Sequence, residues 1–350
     1  MQDIENQINR GGQNRIVEID LLRGFTIILM ILGHSFIVHP IDIHSIPWCV
    51  ALHNWIYSFH MELFFLLSGC VYKCSCFKRY IVKKTDRILV PYIFWGLITL
   101  LLHSSGSGLV NRSYSLEEGF ISLIFYGGSY WFLYTLFTVF MIYPLLEKIF
   151  TRPWMELSAV VVLLIAIEYV KIPEFFTLNY VFYYLPYFVL GRYLVRLLQS
   201  ERTKSHFVNA FLLIVSLGIY IAAGQILKNN SSMVVLTYLR AVAMIFVVYV
   251  PMHYLTRYWE KGFNFPGILV RFLNNCSKYS LQLYIFNGFI LVAIRTFIVS
   301  ILQIHNSVVI VSSIVAGNLI VTLLICNYLL PKSRWLSWLC GIGNRPWVKG

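Results

Sequence analysis

Asp20, Arg23 and His34 lie three and eleven residues apart in the stretch RIVEIDLLRGFTIILMILGH, residues 15–34. At about 100° per residue they fall within roughly 60° of one another on a helix, so they form one polar stripe on an apolar rod. Their types fit two tasks. A histidine exchanges its proton near neutral pH and can act as a general base. An arginine holds anions such as phosphate. The carboxylate at i−3 from Arg23 can equally be its ion-pair partner at a helix end, and His34 can be a satisfied core residue. The shared face favours a functional stripe, because ionisable groups inside a membrane span face the bundle or a cavity. His60 offers a second imidazole if its helix packs on the first; a packing role is the alternative.

The elements that must position these groups are set by the solvent. The chain has 350 residues, 58% hydrophobic, 17% aromatic and 12% charged, with a mean hydropathy of +0.71. Soluble domains are typically about one quarter charged, so most of this chain is expected in lipid. Its net charge of +13 comes without a basic stripe or a soluble nucleic-acid module, which argues against nucleic acid as a partner. About 20 apolar residues cross a bilayer. On that measure ten spans are expected, near 16–38, 51–72, 88–103, 129–147, 154–170, 178–198, 207–227, 232–255, 279–300 and 307–330. Gly127-Gly128 marks room for a half-helix before the fourth. The expected fold is an all-α polytopic membrane protein, with tails at 1–15 and 331–350 around one transmembrane domain, 16–330.

Charge placement gives the orientation. Lys73, Lys78, Arg79, Lys83, Lys84 and Arg87 follow the second span, and alternate loops continue the bias. In all, 23 Lys and Arg residues fall on one side and three (Arg112, Lys171, Lys228) on the other, with Arg240 and Arg295 inside spans. The rich side is expected to be cytoplasmic. Both termini then lie there, which requires an even number of spans. Arg240 sits deep in its span and is a functional candidate by default, whereas a packing pair or snorkelling towards an interface accounts for Arg295. The seven cysteines lack the paired spacing of a zinc site, so no metal is expected. The polar first fifteen residues and a charged first span do not read as a cleavable signal peptide.

The opening stretch resembles the signature of the membrane acyltransferase-3 family. FHMELFFLLSG (59–69) resembles that family's second helix, DRILVPY (86–92) the entry to its third, Trp131-Phe132-Leu133 the start of a later span, and KYSLQLYIF (278–286) a stretch near the end. Together these cover most of the chain in order. The resemblance implies transfer of an acyl group, usually acetyl from acetyl-CoA, to a hydroxyl of a sugar or other cell-envelope molecule, with a lean towards members that acetylate fucose or succinylate polysaccharide. The implied setting is the inner (cytoplasmic) cell membrane, the implied partners membrane lipid and a sugar or glycolipid acceptor. It makes His34 the essential histidine and puts Asp20 and Arg23 in the donor-binding region. Two departures stand out: Asn287 occupies a position where relatives often have His, and Glu62 replaces a common Pro.

Transfer to an alcohol needs a base, donors for the thioester oxyanion and a grip on CoA phosphates. His34 is the first choice as base. Trp131, Tyr284 and Asn287 are the candidate oxyanion or acceptor groups, with Arg240 added. Arg23, Arg79, Lys83, Lys84 and Arg87 are candidate phosphate ligands, although positive-inside bias alone would place most of them there. Two other classes remain open on the residues: a secondary transporter, which often shows internal symmetry, and a non-catalytic glycan-binding membrane protein.

Overall fold

The computed structural model describes residues 16–104, 115–198, 205–229, 233–343 and 345–347; the expected tail at 1–15 lies outside them. Among the described residues the chain is helical and no strand occurs. In order the helices are α1 (Val17–His34), α2 (Pro47–Tyr57), α3 (His60–Cys70), α4 (Phe77–Lys84), α5 (Val90–Ser104), α6 (Leu116–Tyr126), α7 (Trp131–Ile149), α8 (Pro153–Tyr169), α9 (Leu178–Leu198), α10 (His206–Asn229), α11 (Val234–Glu260), α12 (Asn264–Lys278), α13 (Ser280–Arg295), α14 (Ser307–Leu324) and α15 (Arg334–Leu339). Local chemistry sets many of their ends. Pro47 and Pro153 open α2 and α8, where a missing N–H costs nothing. Ser115 and Glu118 form a reciprocal cap on α6. Asn306 accepts the first N–H groups of α14.

Six continuous helical stretches are long and apolar enough to cross a membrane: Phe77–Ser104, Leu116–Ile149, His206–Asn229, Val234–Glu260, Ser280–Ile301 and Ser307–Lys332. The other expected spans differ for visible reasons. α1 has 18 residues but carries Glu18, Asp20 and Arg23. α8 has 17 residues, and α9 is rich in tyrosine. The expected second span, 51–72, is not one helix. Ser58 turns its hydroxyl back onto the Trp55 carbonyl at 2.7 Å, and Phe59 leaves the helical region at φ −158°, ψ −15°. The result is α2 and α3, 11 residues each. His60 therefore begins a helix rather than lying midway along one.

Packing is built around α1, which touches α2, α3, α11, α12, α13 and α14. Gly24 allows the closest of these approaches: a Cβ there would sit 2.0 Å from the Leu273 carbonyl oxygen of α12. α3 and α9 press together in the same way, since a Cβ at Gly69 would meet Phe188 O and one at Gly191 would meet Leu66 O, each at 1.9 Å. Small residues at such crossings are how helices pack in lipid, where apolar burial supplies little drive. The outer helices are inverted accordingly. α10 buries Asn209, Ser216 and Ala223 and exposes Phe207, Phe211, Ile214 and Ile221. In α8 the one buried residue is Glu156.

Candidate functional site

A cavity of about 1050 Å³ opens among seven helices, α1, α2, α3, α5, α7, α9 and α13. α1 delivers His34 with its last residue, and the break before α3 turns His60 and Glu62 into the same space. Leu102 and His103 come from the end of α5. Gly127 ends α6 in the left-handed conformation at φ +79°, which Gly tolerates without a side-chain clash. The turn that follows sets Trp131 at the start of α7, on the cavity wall. α13 contributes Tyr284, Asn287 and Arg295. His34, His60, Leu102, His103, Trp131 and Arg295 lie at or near helix ends, whereas Tyr284 and Asn287 lie within α13.

His34 is exposed to this space, not packed away. His60 is buried, with Nδ1 2.8 Å from the Ile56 carbonyl. A carbonyl only accepts, so the neutral ring carries its proton on Nδ1 and leaves Nε2 as an acceptor. Tyr57 stands between the two imidazoles, with ring centroids 6.3 Å from His34 and 4.7 Å from His60. Among the three oxyanion candidates the geometry separates roles. Tyr284 packs among aromatic rings, 5.9 Å from Tyr130 and 5.4 Å from Phe132 between centroids. Trp131 belongs to an aromatic wall, 6.0 Å from Tyr184 at 26°. Asn287 has its Oδ1 held by Asn318 Nδ2 at 2.9 Å, and the same amide donates to the Asn287 main-chain oxygen at 3.2 Å. Thr322 in turn donates to Asn318 Oδ1 at 3.4 Å. This chain fixes Asn287 with Nδ2 as its outward donor, facing nothing better than the Met30 thioether at 3.8 Å, a weak acceptor.

The cationic residues form a second group at the other end of α1. Arg23 pairs with Asp20 at 3.6 Å, and Ser277 donates to Asp20 at 3.4 Å. Arg79, Lys83 and Arg87 are exposed. Lys84 lies 3.3 Å over the Phe140 ring, where Arg23, Lys83 and Arg87 all bear on its charge. Arg87 and its neighbour Asp86 sit in a π-helical turn, Thr85–Leu89, a distortion common at functional sites. Asp86 is gripped by Arg345 at 2.8 and 3.0 Å and by Trp338 at 3.3 Å, so the described part of the C-terminal segment folds against this turn. Eleven residues of helix separate Arg23 from His34, roughly 16 Å of rise. The cavity reaches Met30 but not Arg23.

Arg240 joins neither group. Its guanidinium stands over the Tyr220 ring at 5.0 Å and donates to that hydroxyl at 3.3 Å. Arg295, read from sequence as a packing pair or as snorkelling, is buried and lines the cavity. Sequence reasoning gave Glu18 no partner, where the structure sets it 3.2 Å from His253, and passed over a partly buried network in which Glu156 accepts from Tyr143 at 2.5 Å and from Tyr193, while Arg192 joins Tyr143 at 3.0 Å to Glu147. Intramembrane carboxylates such as Glu156 are the signal that could have found it. No cluster of three or more potential metal ligands occurs among the described residues.

The family model for an acyltransferase domain, Acyl_transf_3, matches residues 16–327. The chain belongs to the acyltransferase-3 family. The nodulation protein NolL of Sinorhizobium fredii is 27% identical to this acyltransferase-3 member over 206 residues, 55% of this chain and 52% of that protein. NolL of Mesorhizobium japonicum is 28% identical over 138 residues, 38% of this chain and 36% of that protein. The chain thus spans about half or less of the curated relatives it matches. No solved structure matches. Membership supports the acyltransferase reading over a transporter, two readings that composition and buried charges alone did not separate.

Proposed function

We propose that the protein moves an acetyl or succinyl group from acyl-CoA at the cytoplasmic face to a hydroxyl of a cell-envelope glycan or glycolipid, with His34 as general base. The observation that carries this is the convergence of His34, a tautomer-fixed His60 and the Asn287 amide on one cavity. In the reaction the acceptor oxygen attacks the thioester carbonyl while His34 takes its proton. Asn287 Nδ2 donates to the developing oxyanion, a type of contact that strengthens as charge appears. When the C–S bond breaks, the imidazolium returns the proton to the departing thiolate, so no net proton is released. His60 supplies a second polar edge beside the reacting atoms. At about 1050 Å³ the cavity exceeds what a drug-sized ligand needs, and so suits an acyl end and an acceptor together.

The donor's phosphates are assigned to Arg23, Lys83, Lys84, Arg87 and Arg79, with the acyl-bearing arm reaching along α1 towards His34. Because the cavity stops at Met30, this reading requires the wall between Met30 and Arg23 to part when donor enters. The ten-span, both-ends-inside topology and an inner-membrane location belong to the same proposal; charge bias supports them. The test is acyl-CoA thioester loss by purified protein. Wild type is expected to consume donor, and His34→Ala to abolish turnover while retaining most donor binding. Equal loss of binding in that variant would remove His34 from the base role.

A further inference from the structure

Three tryptophans near the C-terminus have no part in the transfer chemistry. Trp335 and Trp338 on α15 and Trp347 beyond it form one cluster, with ring centroids 5.1 to 6.1 Å apart. Trp335 and Trp347 are each 57% exposed. Large apolar rings grouped at a surface mark a place that meets a partner. The cluster is fastened to the cationic turn Thr85–Leu89. Trp338 Nε1 donates to Asp86 at 3.3 Å, and Arg345, which stands 6.0 Å over the Trp347 ring, grips the same carboxylate. Gly341 passes so close to the turn that a Cβ there would sit 2.7 Å from the Arg87 carbonyl oxygen. Gln282 of α13 holds the segment as well, donating to the Cys340 carbonyl at 2.6 Å.

This arrangement sets exposed indole rings beside exposed cations. Arg345 offsets the Asp86 charge, while Arg87, and Lys83 one helical turn before it, stay exposed. A flat heterocycle that carries phosphates matches both parts, because its face stacks on an indole and its phosphates meet the guanidinium and ammonium groups. A lipid headgroup brings phosphate but no ring to stack. We infer that Trp335 and Trp347, beside Arg87 and Lys83, form a subsite for a phosphate-bearing purine nucleotide, the nucleotide end of the CoA donor. The inference rests on the acyl-CoA reading and gives the donor's base a site, where that reading placed only its phosphates. The Asp86 latch holds the rings in fixed register with Arg87, so base and phosphates are met together.

Calorimetry on the purified full chain in detergent tests this with two probes, adenosine 3′,5′-bisphosphate and inorganic pyrophosphate, the second bringing phosphate charge without a base. Wild type is expected to bind the nucleotide about tenfold or more tightly than pyrophosphate, a size typical of one base stacked on an aromatic ring. The double variant Trp335→Leu/Trp347→Leu should bring the two within about threefold, and Trp335→Phe/Trp347→Phe, which keeps rings to stack on, should retain most of the preference. The ratio is internal to each variant, so a partly damaged fold does not imitate the result. Equal affinity for the two probes in wild type, or an unchanged ratio in the Leu variant, would overturn the subsite while leaving acyl transfer standing. Thermal stabilisation by phosphatidylglycerol that the Leu variant loses, with no nucleotide preference in wild type, would give the rings to a lipid headgroup instead. Failure of wild type to bind or turn over acetyl-CoA would remove the donor reading, and the subsite with it.

Discussion

In the proposed reaction Asn287 donates to the oxyanion, and an amide in that role has to be prevented from rotating. Asn287 is prevented by Asn318, whose own amide is met by Thr322 one turn further along α14. Loss of a single oxyanion donor typically costs about 100-fold or more in kcat. Asn287→Ala is therefore expected to lower kcat by about that factor with donor KM little changed. Asn318→Leu, which never reaches the reacting atoms, should lower kcat by about tenfold through the freed amide, a smaller version of the same loss. Steady-state kinetics on both variants checks the order; a larger kcat loss from Asn318→Leu than from Asn287→Ala would contradict it. Asn287 itself was legible, because it stands in a motif. Asn318 was not: it lies inside an apolar run, 31 residues from its partner.

At the scale of elements, the site depends on helices ending where they do and pressing as closely as they do. The α2–α3 break was hidden because apolar residues run through it and hydropathy carries no record of φ and ψ. The turn at Gly127-Gly128 was readable, since two glycines inside an apolar stretch announce a change of direction. The α3–α9 crossing makes a direct prediction. Gly191→Ala places a methyl 1.9 Å from Leu66 O and should cost about 1–3 kcal/mol through overpacking. Gly218→Ala on α10 meets nothing within 4 Å and should leave stability unchanged. Thermal unfolding in detergent separates the two, and equal effects would refute the crossing. Glu156→Ala should also destabilise, because it strands the buried Tyr143 hydroxyl and releases the Tyr193 hydroxyl; each buried donor left unpaired costs about 1–3 kcal/mol. Melting of Glu156→Ala against Glu156→Gln checks this, with the larger drop expected for Ala.

Across the whole molecule two chemistries occupy opposite ends of α1: cations around Arg23 and Lys84, and a neutral-to-aromatic cavity around His34. The charge stripe announced this division in the sequence, because the helical period alone places Asp20, Arg23 and His34 on one face. The size of the cavity and the presence of Glu62 and Arg295 in its wall were not announced, since they depend on how seven helices meet. The proposed topology follows from the division and can be tested apart from activity. In a cysteine-free background, an impermeant thiol reagent should label Arg79→Cys only from the cytoplasm and Val38→Cys only from the opposite side. Labelling of both from one side would contradict it.

The central claim is that His34 carries an acyl transfer onto an envelope glycan. Mass spectrometry of envelope glycans from cells expressing wild type, His34→Ala or no copy of the gene tests it most directly. An added ester is expected with wild type alone, its mass identifying acetyl or succinyl. The same ester in the His34→Ala cells would contradict it.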